Sequence, residues 1–417
     1  MRTTVRSIPP PSAPARGADA LATAAGIGER LVREAVWFRG RCNWTAFDPT
    51  ASQPLHRALG PDLGSGSAGV ALFLAQLAAA TGDAAAGRAA RGAIARSLSH
   101  AEQAPPHGLH AGRLGIAYAA ARCGLLLGEE QLTARAARLA RARLQTADRF
   151  DLCDGSAGTI AGLLALAPVL GDGSLAGRAQ RLGDDLIAAA RDGRNGWSWR
   201  SAPDERRMHG LCGMAHGASG IAFALLELHA ATGLERDRDA AERALAYERH
   251  WFDPREGDWP DLRGIERREP RGSFRAPFET SWAHGAPGIA LTRLRAWRLL
   301  GDEPYRAEAA AALERTAAHV ERAVPGAGFA LADGIAGCAE ALLLGAELRP
   351  EGAVLAQRAG EIAASRYAGS LDGWPCGPAH AGLAPGLLHG HAGIGLFYLR
   401  LHDRAVPSPL LIGAPSS

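Results

Sequence analysis

The sequence predicts an all-α protein that closes into a single α/α toroid of seven inner and seven outer helices. Three observations predict it. A Gly-x-x-Gly pair feeding an apolar helix occurs seven times along the 417 residues. A more polar helical stretch stands before the first copy and in each spacer, as in a two-helix repeat. The last copy is as apolar as the others, whereas an open solenoid would end in a polar cap.

The elements follow in order. The stretch ADALATAAGIGERLVREAV opens the series. The Gly-initiated helices are SGSAGVALFLAQL from Ser65, AGRLGIAYAAA from Ala111, DGSAGTIAGLL from Asp154, HGASGIAFALLEL from His216, HGAPGIALTRL from His284, DGIAGCAEALL from Asp333 and HGHAGIGLFYLRL from His389. Their first glycines are Gly66, Gly112, Gly155, Gly217, Gly285, Gly334 and Gly390, spaced by 46, 43, 62, 68, 49 and 56 residues. These helices are apolar nearly all round, which marks them as the buried set. The spacers, such as AAGRAARGAIARSL and PYRAEAAAALERTAAHVERA, place apolar residues at three- and four-residue steps between Arg and Glu, as on half-exposed helices. The Gly-x-x-Gly itself fits a tight turn and a helix packed closely on its neighbour. The toroid is expected over residues 20–404, with a flexible N-terminal tail at 1–19 and a C-terminal tail at 405–417. Residues 253–280, charged and rich in Pro and Gly, read as a long irregular loop of the kind that often carries function.

Composition narrows the function. Net charge is +3 and no basic stripe argues for nucleic acid. No apolar run is long enough to span a bilayer. The N-terminus, MRTTVRSIPPPSAPARG, is basic and Pro-rich without the apolar segment of a secretory signal, so the cytoplasm is the expected location. The chain has no lysine, which excludes Schiff-base, P-loop and kinase chemistry that depends on one. Its six cysteines are scattered without Cys-x-x-Cys spacing and read as free buried thiols.

Because the unit repeats, equivalent positions should lie around one rim. The residue before each first glycine is Ser65, Ala111, Asp154, His216, His284, Asp333 and His389 in turn. Seven helix N-termini gather at the same rim, and their dipoles favour negative charge. A thiolate or an enolate would be stabilised there. His216 and His284, in the near-identical contexts AHGASGIA and AHGAPGIA, are the candidates for acid–base work. Asp154 and Asp333 also suit plain N-capping, and His389 suits a loop-holding hydrogen bond. Trp282 and Trp374 stand near the rim, while Trp197 and Trp199 read as packing residues.

The phrases AHGASGIA, SWAHGAPGIAL and DGIAGCAEALL resemble the lanthionine synthetase C-like family, and the resemblance runs from about residue 20 to residue 404. It implies an α/α toroid whose zinc-bearing members close thioether rings by adding a peptide cysteine to dehydroalanine or dehydrobutyrine. The family pattern in the fifth repeat is Trp-Cys-His/Tyr-Gly, and in the sixth it is Cys-His-Gly, with both cysteines and the histidine holding the metal. Here those places carry Ala283, Ala332 and Asp333. No metal at that site, and no other cofactor, is therefore expected. By the same resemblance His216, His284 and Asp151 form the expected catalytic set. Trp282, Asp154, Asp333, His389, Arg275 and Glu279 form the expected substrate-binding set. Glu279 stands where the family has an arginine, and Arg275 is the nearest replacement in sequence. Zinc-free cyclase domains occur in the family within larger kinase-containing synthetases. This chain shows no kinase or lyase portion, so the expected partners are a dehydrated precursor peptide and separate dehydratase proteins of the kinase and lyase type. Two other readings stand beside the zinc-independent cyclase. One is a non-catalytic scaffold that binds the precursor or a modifying enzyme. The other is a glycosidase-like toroid using carboxylates among Asp151, Asp154, Glu279, Asp333 and Glu340, which the histidine-rich rim does not suit.

Overall fold

The computed structural model describes residues 19–47, 55–269, 271–323, 326–369, 373–376 and 384–413. Among them fourteen α-helices form. The Gly-initiated set is α2 (Ser67–Thr81), α4 (Arg113–Leu127), α6 (Ser156–Leu170), α8 (Ala218–Thr232), α10 (Ala286–Leu300), α12 (Ile335–Leu344) and α14 (His391–His402). The amphipathic set is α1 (Ala20–Glu34), α3 (Ala84–Ser99), α5 (Glu130–Arg141), α7 (Ser174–Ala188), α9 (Glu235–Trp251), α11 (Glu303–Glu321) and α13 (Pro350–Tyr367). Each helix of the first set packs on the next, and α14 packs on α2, so the inner wall closes on itself. Each outer helix covers the inner helix before it. α1 has none before it and lies mainly on α14.

Local chemistry explains the alternation. The inner helices are buried on nearly every side; Ser156 through Leu163 of α6 are all inaccessible. An apolar helix with no polar face is stable only when covered all round. After α2 the chain turns at Gly82, whose φ of 75° is left-handed and whose N–H donates to the Ala78 carbonyl, a glycine-favoured C-terminal stop. Asp83 then caps α3 by accepting from the N–H groups of Ala85 and Ala86.

The Gly-x-x-Gly has a specific cause. In all seven copies a methyl group on the second glycine would lie 1.8–2.2 Å from a carbonyl oxygen in the turn that precedes the helix. Such an overlap cannot be relieved by a side-chain rotation, because the oxygen is backbone. At Gly288 the obstructing atoms are the Trp282 carbonyl and, at 2.7 Å, Met214 Cβ. Gly288→Ala is therefore expected to destabilise the fold by about 1–3 kcal/mol. Gly177→Ala, on an outer helix where nothing lies within 4 Å, should be neutral or stabilising. Thermal melts of the two variants beside the parent check this. Equal melting temperatures would refute the packing account.

A ring of backbone hydrogen bonds joins the turns. The N–H of Gly64 donates to the carbonyl of His110, His110 to Cys153, Cys153 to Ala215, Ala215 to Ala283, Ala283 to Ala332, Ala332 to Leu388, and Leu388 back to Gly64, at 2.8–3.1 Å. All seven residues are buried and stand two places before the first glycine. This girdle fixes the residues one place later, on the rim, relative to one another.

Buried Arg–Glu pairs stiffen the wall. Arg295 of α10 grips Glu227 of α8 with both guanidinium arms, at 2.5 and 3.1 Å. Arg400 of α14 meets Glu340 of α12 at 2.5 Å. That contact draws Glu340 into the core and away from the rim. Arg293 of α10, fully buried, binds Glu248 of α9 at 2.9 Å and Glu308 of α11 at 2.6 Å. Glu248 also accepts from the Gly213 N–H and the Ser219 hydroxyl, so this network reaches the turn that carries His216.

Two features lie outside the helical repeats. Among the described residues three short antiparallel pairs supplement the helices: β1 (Val36–Phe38) with β2 (Arg41–Asn43), β3 (Thr45–Phe47) with β4 (His56–Ala58), and β5 (Arg191–Gly193) with β6 (Gly196–Ser198). The expected C-terminal tail is packed where it is described. Val406, Leu410, Leu411 and Ile412 are buried, and the Arg400 guanidinium binds the Val406 carbonyl. Residues 414–417 and, apart from Asp19, the expected N-terminal tail lie outside the described residues.

Candidate active site

The rim residues from the third repeat onward form an arc of ionisable groups. His216 and His284, each one residue ahead of the first glycine of its repeat, face each other with near-parallel rings. Their centroids are 6.1 Å apart and the planes 27° off parallel. Asp151, from the neighbouring third repeat, divides its carboxylate. Oδ1 accepts the Asp154 N–H at 2.7 Å and shapes the turn, as Asp62 does for Ser65 and Gly66 in the first repeat. Oδ2 is buried and lies 3.5 Å from Nδ1 of His216, within ion-pair reach but long for a hydrogen bond.

The two histidines are tuned in opposite directions. Burial alone would depress the pKa of His216, but the Asp151 carboxylate against its ring, with Asp154 behind, raises it above the ordinary 6.5. Burial depresses the pKa of His284, and the Arg263 guanidinium depresses it further. Two like groups pushed apart in this way are the usual mark of an acid and a base in one site. Burial, then the neighbouring Asp151 charge, raise the pKa of Asp154, while Arg149 stands 3.9 Å from it.

Beneath this pair lies a buried floor. Trp282 is fully buried and meets the His110 ring edge-on at 5.5 Å. His110 Nδ1 is 3.6 Å from Cys153 Sγ. Burial pushes the His110 pKa down to about 4. It pushes Cys153 well up, with Asp151 and Asp154 adding to the effect. Both therefore stay neutral, and Cys153 is a packed thiol, not a nucleophile. His110 feels the charges of His216, Asp151 and His389, so it sits between the two halves of the arc.

The remaining expected residues divide. Asp333 and His389 form a second acid–imidazole contact of 3.5 Å between the last two repeats. Glu279 lies at the edge of the site, held by Arg263 at 3.0 Å. Arg263 also binds Asp261 at 2.5 Å. Arg275 is exposed and lines a surface groove with Trp251, Phe274 and Phe278. The guanidinium beside His284 and Glu279 thus comes from Arg263, not from Arg275. The long loop also buries Asp258, which accepts from the Ala286 and Trp259 N–H groups and the Thr280 hydroxyl, and so braces the turn that carries His284. Sequence reasoning missed His110, Cys153, Asp261 and Arg263. The first two were open to it, because they share the position two before the first glycine. Arg263 and Asp261 lie in a loop with no repeat to register them.

At the three positions where the resemblance places the family's zinc ligands, one donor side chain is present. Positions 283 and 332 are alanines, and their backbone N–H and carbonyl groups are already used in the girdle. Asp333 alone remains, which is too few ligands for a tetrahedral site.

Among the described residues, seven inner and seven outer helices close a toroid with a histidine–carboxylate rim. A family model for lanthionine synthetase C-like proteins matches residues 57–411; the chain belongs to that family. Among solved structures, nisin cyclase is similar at a TM-score of 0.63 and 17% identity, covering 83% of this chain and 89% of that one. A GH76 α-mannanase of Bacteroides thetaiotaomicron is similar at a TM-score of 0.53 and 11% identity, covering 92% and 95%. At such identities both likenesses speak for the fold alone. No curated protein sequence matches the chain. No helix among the described residues is long and apolar enough to cross a membrane.

Proposed function

We propose that this protein closes thioether rings in a dehydrated precursor peptide, adding cysteine thiols to dehydroalanine or dehydrobutyrine without a zinc ion. The observation that carries the reading is the stacked His216–His284 pair with its opposed pKa shifts. His284, held neutral, accepts the thiol proton. The thiolate attacks the β-carbon, and the electron pair moves to the α-carbon and its carbonyl. His216, held partly protonated by Asp151, delivers a proton to the α-carbon. His284 then releases its proton to solvent and His216 regains one, so the net change is addition of S–H across the double bond and no oxidant or further reactant is consumed. Helix N-termini at the rim favour both transient anions.

Magnitudes permit this. A free thiol with a pKa near 8.5 is about 3% ionised at pH 7, so full ionisation would gain about 30-fold, or roughly 2 kcal/mol. A positioned general base commonly supplies ~10²–10⁴-fold. The dehydroalanine or dehydrobutyrine would have to be supplied by a prior elimination of water from serine or threonine. The test is to incubate the purified protein with a chemically or enzymatically dehydrated precursor and count remaining thiols by alkylation and mass. Thiol loss no faster than in buffer refutes the reading and leaves a scaffold.

The tuning sets the pH profile. Activity needs His284 neutral and His216 protonated. The enzyme-dependent rate should rise with pH through a limb below 6.5 and fall through a limb above 6.5. Asp151 acts here as a positioning residue. Asp151→Asn should bring the alkaline limb to lower pH, because its charge is what raises His216. A profile that rises monotonically with pH, following only thiol ionisation, would contradict the assignment.

A further inference from the structure

We propose that Asp151, Asp154 and His216 form a site for a divalent transition-metal ion, zinc above all, whose occupancy switches ring closure off. One ligand atom from each of the three lies within 4.8 Å of the others. Tetrahedral zinc with bonds near 2.1 Å needs donors about 3.4 Å apart. A contraction of that size is within the rotamer reach of Asp154 and His216, which are only about two-thirds buried. One imidazole and two carboxylates are donors that zinc accepts, and zinc has no geometric preference of its own to oppose the arrangement.

The donors are already held in place. Asp151 and Asp154 share one turn through the Asp154 N–H bond to Oδ1. That turn is pinned to the one carrying His216 by the girdle bond from Cys153 N–H to the Ala215 carbonyl, 3.1 Å. An independent observation points to a cation. Asp151 is 3% exposed, and its Oδ2 is buried with no hydrogen-bond partner. A buried carboxylate oxygen left without a donor is costly unless a positive charge faces it. Either a protonated His216 or a metal ion meets that need. The site is also distinct from positions 283, 332 and 333, because it spans the third and fourth repeats instead of the fifth and sixth.

The metal and the proton compete for the same place. With zinc on Nδ1 of His216, the imidazolium cannot form and the α-carbon loses its proton donor. The inhibitory half of the proposal rests on the function proposed above; the binding half does not.

The test begins with calorimetric titration of zinc chloride into the chelator-stripped full-length protein. One equivalent should bind. Asp154→Asn and His216→Ala should each weaken binding at least tenfold, with circular dichroism confirming folding, and Asp333→Asn should leave it unchanged. Absence of binding, or loss with Asp333→Asn and not with Asp154→Asn, overturns the site. The second arm follows thiol loss in a dehydrated precursor. Stoichiometric zinc should stop it and a chelator restore it. Acceleration by zinc overturns the inhibitory role. If the parent closes no rings with or without zinc, the proposed function and the inhibitory half fall together, while the calorimetry still decides the site.

Discussion

His284→Ala and His216→Ala are each expected to lower the enzyme-dependent rate of ring closure by ~10²-fold or more while leaving the fold intact. The size follows from the loss of a positioned proton acceptor or donor. The intact fold follows from position, because each stands on the rim one residue outside the buried girdle. His284 contributes to that turn chiefly a backbone N–H to Ser281, which alanine keeps. The pH profile separates the two roles. His284→Ala should erase the acid limb and His216→Ala the alkaline limb. Asp151→Asn should cost less than either, because His216 itself remains. Rates equal to the parent in both histidine variants, measured by thiol alkylation against a buffer control, would dismiss the acid–base pair.

Arg293→Ala should bring the largest loss of stability in the chain. It leaves Glu248, which is inaccessible, without its guanidinium, and removes the same partner from Glu308. Breaking a buried pair from one side commonly costs about 3–5 kcal/mol. Arg293→Met combined with Glu248→Gln and Glu308→Gln should recover much of it, because no charge is then stranded. Circular dichroism melts of the single and triple variants provide the check. A melting temperature of Arg293→Ala near the parent's would mean that water or a rearranged neighbour solvates Glu248. The loss should also reach the site, since Glu248 holds the Gly213 N–H three residues before His216.

The toroid was legible because one physical problem is solved seven times. An apolar helix must start at a turn too tight for a side chain, and each solution leaves the same Gly-x-x-Gly. Register then carried over to the rim, so His216, His284, Asp154, Asp333 and His389 could be placed together before any coordinates. What lacked a repeat was not legible. Arg263 and Asp261 come from a loop of unique sequence, and adjacency along the chain pointed instead to Arg275. The three hairpins have strands of three residues, too short for alternation to speak. Val406 and Leu410–Ile412 are few and aperiodic, and nothing in them distinguishes a docked segment from a free one. The opposed tuning of the two histidines arises from Asp151 and Arg263, which are distant from them in sequence, so it belongs to the folded protein alone.

The position of α1 has a bearing on how the chain is made. Of the fourteen helices described, the first in chain order has its main partner in the last, α14. Until α14 is made, the face bearing Ala24, Ile27 and Leu31 waits for a surface that does not yet exist, and α2 likewise lacks one of its two inner neighbours. Without α14 the ring would be left with two uncovered apolar ends. Joining them closes a loop from α1 to α14, although the entropic cost of closure grows only logarithmically with that span. The greater hazard is that each exposed end fits the opposite end of another copy, so the same contact that seals one molecule can link two.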